Sequence, residues 1–299
     1  MKDKIRYFIV FAFLLMSFNV VKGQKQFFGS MTMPRSVDDK QKIGDCVLEI
    51  TYDYYFQLDT LSDRKYQDRY ILQAGKTVSR FYSQYSEICD SIMYNAGLKV
   101  KVNNAVDHIG WMKENELACY EDVFINYPEN DRLTVSAKIA RTEFYYEEVC
   151  PEIDWEICDG TETILGYPCR KATASFRGRD WTAWFTTELP FSVGPWKFRG
   201  LPGAILKLGD GDDLFLYQAI GIRSADSSPI TIHSGKNVHR VKLKREAYLG
   251  MQRKQWQDPL SLFLSQSVKS MSIDRETGKM TEDEQGSLTL PYRPPLEVY

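Results

Sequence analysis

Alternation of apolar and polar side chains is the feature of this 299-residue chain that most limits its fold. Over residues 46–56 every second side chain is apolar, and Glu49 and Asp53 lie between them. This period of two is that of a β-strand with one buried face. Similar segments recur in pairs joined by short polar turns, such as residues 171–176 with 181–186, and short turns favour antiparallel pairing. The chain is therefore predicted to be mainly β.

The remaining elements fit one domain built on a large sheet. A helix is predicted over residues 84–97, because Tyr85, Ile88 and Ile92 start an apolar stripe with helical spacing. C-terminal helices are predicted over residues 244–267. Further strands are predicted at residues 66–72, 77–82, 98–102, 123–127, 133–139, 142–148, 161–166, 204–208 and 214–222. An antiparallel sheet of this size must curl or close to protect its edges, so we expect a curved half-barrel or barrel-like sheet.

The N-terminus has the parts of a secretory signal peptide. Lys2, Lys4 and Arg6 precede an apolar run of about ten residues, and a cleavage site is predicted at Gly23–Gln24. A spanning helix needs about 20 apolar residues, so cleavage is favoured over a membrane anchor. The chain then divides into a signal peptide (1–23), an irregular lead-in (24–45), one β-rich domain (46–272) and a polar tail with a Pro-rich end (273–299).

Export and composition together limit the class of partner. The mature protein is expected in the periplasm, at the outer membrane or outside the cell, without a transmembrane helix after signal cleavage. The formal net charge is −2, and cleavage removes more basic than acidic residues. The mature chain is therefore acidic and has no basic stripe, which argues against nucleic acid as a partner.

Six cysteines lie beyond the predicted cleavage site. An even number of cysteines in an exported chain predicts disulfide bonds, although the pairing stays open. The cysteines lack the close spacing of a metal site, and the chain has only three histidines. No metal and no cofactor are expected.

The most distinctive segment lies between residues 164 and 206. It includes Gly194-Pro195-Trp196-Lys197-Phe198, followed by Gly200-Leu201-Pro202-Gly203-Ala204-Ile205. This segment resembles the GLPGLI family of exported bacterial proteins, with Ala204 where the family's name has leucine. The similarity extends over roughly residues 46–299, including Tyr70–Leu72 and Pro294–Glu297. The resemblance implies export from a Gram-negative envelope and no assigned activity, so no catalytic residue is transferred.

Two interpretations of this segment remain open. Its glycines and prolines indicate a structural turn, formed by Gly194, Pro195, Gly200, Leu201, Pro202 and Gly203. Leu201-Pro202-Gly203 suits a type II turn with a positive φ at Gly203, and Gly200 suits a close backbone approach. The aromatic residues nearby either fill the core or line a concave binding site; they are Trp181, Trp184, Phe191, Trp196 and Phe198.

The function predicted first is that of a binding or interaction protein. Its ligand would be a hydrophobic molecule, a surface glycan or a partner protein of the envelope. No GxSxG motif is present, and no histidine has a recognisable nucleophile beside it, so no catalytic residue is assigned. One alternative is a carboxylate-based hydrolase acting on glycan or peptide, for which Asp180 and Glu188 are the first acids to consider. The other is a structural or assembly factor for outer-membrane proteins.

Overall fold

The structure is a computed structural model of the chain. It describes residues 40–57, 63, 65–88, 121–139, 142–234, 240–257, 272–273 and 280–281. The predicted signal peptide lies outside these residues, as do the predicted strand at 98–102, residues 89–97 of the predicted internal helix and residues 258–267 of the predicted C-terminal helices. Most of the lead-in and nearly all of the tail also lie outside them.

The described residues form β-strands over most of their length. The strands are β1 (Lys40–Gln57), β2 (Lys65–Gly75), β3 (Ser79–Ser83), β4 (Glu121–Ile125), β5 (Arg132–Ile139), β6 (Thr142–Val149), β7 (Glu156–Ile164), β8 (Tyr167–Phe176), β9 (Arg179–Thr186), β10 (Ala204–Asp210), β11 (Phe215–His233), β12 (Arg240–Lys242), β13 (Ser272–Ile273) and β14 (Met280–Thr281). Two stretches are helical, α1 (residues 84–88) and α2 (Arg245–Gln257).

Twelve strands make one large sheet in the order β12-β6-β5-β4-β3-β2-β1-β11-β10-β9-β8-β7. The mainly β prediction is confirmed. The sheet is mixed, however, because β12 pairs in parallel with β6. The chain crosses from the centre of the sheet to its edge between β11 and β12, and such a crossing permits parallel pairing where a tight turn does not. Strand β1 begins at Lys40, inside the segment predicted to be an irregular lead-in.

The sheet is strongly curled. Strands β6 and β7 are ten strand-to-strand steps apart, which is about 48 Å along a flat sheet. Only residues 150–155 connect them, and this segment reaches at most about 25 Å. Arg177, in the turn after β8, forms an ion pair of 2.8 Å with Glu148 of β6. The two halves of the sheet therefore face each other, as the prediction of a curved sheet requires, while β12 and β7 remain at its ends.

Aromatic side chains fill the interior of the curl. Tyr54 stacks on Tyr217 with ring centroids 4.3 Å apart, and Tyr70 stacks on Phe81 at 4.7 Å. The Tyr52 hydroxyl donates a hydrogen bond of 2.6 Å to the backbone oxygen of Ile205. Such pairs stabilise neighbouring strands beyond the effect of the buried area. The interior is thus a packed core of the chain's own side chains.

The opposite face of β1–β4 is also buried in part, around a group that we call the Arg80 cluster. The Arg80 guanidinium pairs with Asp122 at 2.8 Å and with Glu87 of α1 at 3.1 Å. It also lies 4.0 Å from the ring centroid of Tyr82. Lys40 makes a second ion pair with Glu87. Helix α1 is therefore attached to the sheet by charged contacts rather than by an apolar stripe alone.

Candidate functional site

The segment between β9 and β10, residues 187–203, folds back on its own ends, and we call it the GLPG loop. The backbone oxygen of Leu189 accepts hydrogen bonds from the amides of Phe191 and Ala204, at 2.7 and 3.0 Å. The backbone oxygen of Val193 accepts one from Ile205 at 3.0 Å. These bonds hold the loop against the start of β10, so its side chains have fixed positions.

The two glycines of the motif exchange the roles predicted for them. Gly200 has a φ of +98°, whereas Gly203 has no positive φ. A Cβ atom on Gly203 would lie 2.0 Å from the backbone oxygen of Thr186, which no side chain can occupy. Gly203 is therefore required for close approach to β9, and Gly200 for the left-handed backbone. The prediction of a type II turn with a positive φ at Gly203 was wrong.

The other motif residues pack as a structural turn. A Cβ atom on Gly194 would lie 2.7 Å from the Cδ1 atom of Ile205 and 3.1 Å from the backbone oxygen of Phe198, so a larger residue here would require Ile205 to shift. The backbone oxygen of Pro195 accepts a hydrogen bond of 3.1 Å from Phe198. Leu201 is buried in the core, while Pro202 is exposed.

The predicted aromatic residues separate into two groups. Trp181, Trp196 and Phe198 have exposed fractions of 1%, 3% and 0%, and the rings of Trp181 and Phe198 lie 4.8 Å apart. Trp184 and Phe191 are half-buried and pack against the same core. The burial of the first three favours the interpretation that they fill the core, because a ligand could reach them only by unpacking it.

A buried lysine in the GLPG loop was missed at the level of sequence. Lys197 is 2% exposed and donates a hydrogen bond of 2.6 Å to the hydroxyl of Tyr146 on β6. Its ammonium also lies 4.4 Å from the ring centroid of Trp196. Trp196 has a φ of +54°, an unusual conformation for a bulky residue. The positive φ breaks the alternation of inward and outward side chains, so that Trp196, Lys197 and Phe198 are all buried. No periodic pattern in the sequence would reveal this.

The polar contacts continue from Tyr146 to helix α2. The ring of Tyr248 meets that of Tyr146 edge-on at 4.9 Å, and its hydroxyl donates a hydrogen bond of 2.9 Å to Glu121. Gln252 donates a hydrogen bond to the same carboxylate. Gln252 is half-buried and the other side chains are buried, and together they attach the GLPG loop and α2 to β4 and β6.

The acids considered for hydrolysis are not arranged as a pair in a cleft. Asp180 and Glu188 are both exposed. Asp210 is a buried carboxylate, and burial raises its pKa. Its oxygens accept the amides of Leu214 and Phe215, each at 2.8 Å, and pair with Arg179 at 3.1 Å. Asp210 therefore stabilises the β10–β11 turn.

Metal and thiol chemistry can be considered only over the described residues. No cluster of three or more potential metal ligands occurs among them. Cys46, Cys150, Cys158 and Cys169 are present as free thiols. Cys89 and Cys119 lie outside the described residues, so disulfide formation remains a prediction.

Among the described residues, the hairpin of β7 and β8 is extensively exposed. Six of the nine residues of β7 are exposed, and within the described part of the chain β7 pairs with β8 alone. The hairpin turn consists of Leu165 and Gly166, with φ values of 51° and 86°, as a type I′ turn requires. The ladder is interrupted between Cys158 and Thr161, where the ring of Trp184 lies beside Gly160.

Large apolar side chains are exposed on and just before this hairpin. Among the described residues, four large hydrophobic side chains are exposed, and three of them lie between residues 149 and 165. They are Val149, Ile157 and Leu165, with exposed fractions of 60%, 42% and 46%. We call strand β7 together with its turn, residues 156–166, the hairpin edge.

No helix of the described residues combines the length and the apolar character needed to cross a bilayer.

Sequence comparison finds no match among curated proteins. One family model, described as a protein of unknown function (Porph_ging), matches residues 177–207. This stretch contains β9, the GLPG loop and the first part of β10.

Structural comparison finds remote likenesses. Two structures of PNGF-II align with 71% of this chain at 16% identity and a TM-score of 0.45. The chain covers 34% and 33% of those chains, and so spans about a third of their length. A LolA superfamily protein from Nitrosomonas europaea aligns with 67% of this chain and 91% of its own, at 7% identity and a TM-score of 0.25.

Proposed function

We propose that this chain is an exported protein of the GLPGLI type that functions by binding a partner protein in the cell envelope. The signal-peptide pattern of residues 1–23 supports export. The ordered motifs of residues 194–206 support the family resemblance, and the match to a family of unknown function overlaps them.

The observation that carries the proposal is where the apolar surface lies. Trp181, Trp196 and Phe198 are enclosed by the fold, whereas Ile157 and Leu165 are exposed on the last hairpin of the sheet. Ile157 lies near the start of β7 and Leu165 follows its end, so these two exposed side chains lie along one edge of the sheet and do not form a single patch. Recognition through an outer surface is therefore better supported than a hydrophobic ligand or glycan held inside the sheet.

The two remaining alternatives have less support. A carboxylate hydrolase requires two acids that face each other across a cleft, and Asp180 and Glu188 are separate exposed residues. An assembly factor for outer-membrane proteins would also act through a partner. It differs from the leading proposal in the identity of that partner, not in the surface used.

The test is native mass spectrometry of the mature protein, residues 24–299, purified from the periplasm of its own host, combined with crosslinking in the living cell. We expect a bare protein mass and one recurrent crosslinked protein. A discrete small molecule bound at stoichiometric amounts would instead identify a carrier and refute the proposal. A parallel sample that is reduced and alkylated counts the cysteines held in disulfides.

A further inference from the structure

We propose that the hairpin edge binds an extended, basic segment of the partner as an added β-strand, with Leu165 as an apolar anchor at its end. This inference rests on the proposed function and names the site and the chemistry of the partner.

The two ends of the sheet differ in how far they are protected. At one end, β12 has three residues and is followed closely by helix α2. At the other end, β7 has nine residues, and no strand lies beyond it among the described residues. An open strand presents unpaired backbone amides and carbonyls, which is the feature that strand addition uses.

The turn of the hairpin carries a residue that its conformation does not favour. Leu165 has a φ of +51°, a conformation that favours glycine or asparagine and carries an energetic cost for leucine. Its side chain is nearly half exposed and therefore recovers little of that cost by burial. An exposed leucine in a strained position is explained if a partner covers it.

The charges around the hairpin edge indicate which kind of polypeptide segment could bind there. Residues 152–162 include five acidic side chains and no lysine or arginine, while Arg170 and Lys171 lie opposite them on β8. Glu156 and Asp159 are exposed on β7 itself, whereas Glu162 pairs with Lys207. A second copy of this chain would place like charges opposite each other, which is unfavourable. A segment rich in lysine or arginine matches the edge and would be attracted to it over a long range.

The break in the ladder limits the length of the added strand. The excess residues Asp159 and Gly160 interrupt β7, and the ring of Trp184 lies against the second of them. An added strand would pair along Thr161–Ile164, directly beside Leu165, and the unpaired continuation of the same segment would pass Asp159 and Glu156. Such a short ladder fits a transient complex rather than a permanent one.

The inference can be tested with a labelled peptide that alternates lysine and valine, titrated against the mature protein by fluorescence anisotropy. We expect saturable binding that weakens as salt rises. The double variant Glu156→Lys/Asp159→Lys is expected to weaken binding about tenfold, and Leu165→Asn several-fold. The matched control Glu129→Lys reverses an exposed charge in the β4–β5 turn and is expected to change nothing.

A second peptide separates strand addition from simple charge attraction. It has the same sequence with alternate backbone amides methylated, so that it keeps its charge but cannot form the ladder. We expect it to bind at least about tenfold more weakly. Equal binding of the two peptides, or equal binding by the charge-reversed variant, would overturn the inference. The methylated peptide needs no variant, so the test holds even if a substitution prevents folding.

Crosslinking in the cell distinguishes failure of this site from failure of the proposed function. If the Glu156→Lys/Asp159→Lys variant captures the same partner as the unchanged protein, the site is refuted and the function stands. If the unchanged protein captures no partner, the function itself fails. Loss of one specific partner from the variant, with retention by Glu129→Lys, is the result that we expect.

Discussion

Replacement of Gly203 by alanine is predicted to destabilise the protein strongly, although it adds one methyl group. The new Cβ atom would lie 2.0 Å from the backbone oxygen of Thr186 and 2.7 Å from its carbonyl carbon. Neither atom can move freely, because Thr186 is paired with Ala204 in the ladder between β9 and β10. Overpacking costs about 1–3 kcal/mol, and a lost ladder bond about 1 kcal/mol more. We expect a total of about 3 kcal/mol.

The assay is urea unfolding followed by tryptophan fluorescence, which the buried Trp181 and Trp196 make sensitive to the core. Two other glycines provide controls. Gly221 has no positive φ, and a Cβ atom there would make an ordinary contact of 3.8 Å with Thr51. Gly221→Ala should therefore stay within about 0.5 kcal/mol of the unchanged protein. Gly200→Ala should cost about 1 kcal/mol, because of its positive φ.

The order of the unfolding free energies of the three variants tests whether close packing explains the glycine at position 203. Close approach of two backbone segments predicts that Gly203→Ala is the most destabilising, well above Gly200→Ala. If Gly203→Ala unfolds within 1 kcal/mol of Gly221→Ala, the contact between the loop and β9 is not the reason that glycine occupies this position.

Three further changes follow from the structure and can be measured by the same unfolding assay. Leu165→Asn should raise the unfolding free energy by about 0.5 kcal/mol, because asparagine tolerates a positive φ; a loss of stability would contradict this. Tyr146→Phe should cost about 2 kcal/mol, because the buried Lys197 ammonium loses an acceptor; an unchanged stability would contradict this. Burial alone would raise the pKa of Glu87. The nearby Arg80 guanidinium and the Lys40 ammonium lower that pKa by more than burial raises it, so the net shift is downward. The stabilisation due to Glu87 should therefore be present above pH 4.5 and lost as the pH falls through its lowered pKa. The unfolding free energy of Glu87→Gln should be lower than that of the unchanged protein at pH 7, and the two values should converge in acid.

Most of the sheet could be predicted because its local signals agree with its tertiary environment. The alternation of residues 46–56 corresponds to β1, where every second residue faces the core. The short turn around Arg177 and Gly178 joins β8 and β9 as a two-residue hairpin. At these places neighbouring residues alone determine the conformation.

The rest depends on contacts that the sequence pattern does not encode. Arg80 alternates with core residues on β3 and would be expected on a solvated face, yet α1 and Asp122 enclose it. Lys197 lies between two aromatic residues and is buried with them, because Trp196 turns the backbone through a positive φ. The exposed hairpin edge could not be predicted either, since it depends on which strand lies last in the sheet.

The pairing of β1 with β11 has a consequence for how the protein is made. These strands pair along most of their length, from Lys40 opposite His233 to Phe56 opposite Phe215. In the sheet order this pairing joins β1–β6 to β7–β10. A chain that emerges N-terminus first can form its early hairpins, but β1 must wait for about 160 residues of synthesis before its second neighbour exists. Contacts of such long sequence separation form slowly. During that interval β1 is itself an open edge, so we expect the half-made chain to depend on a chaperone more than the finished protein does.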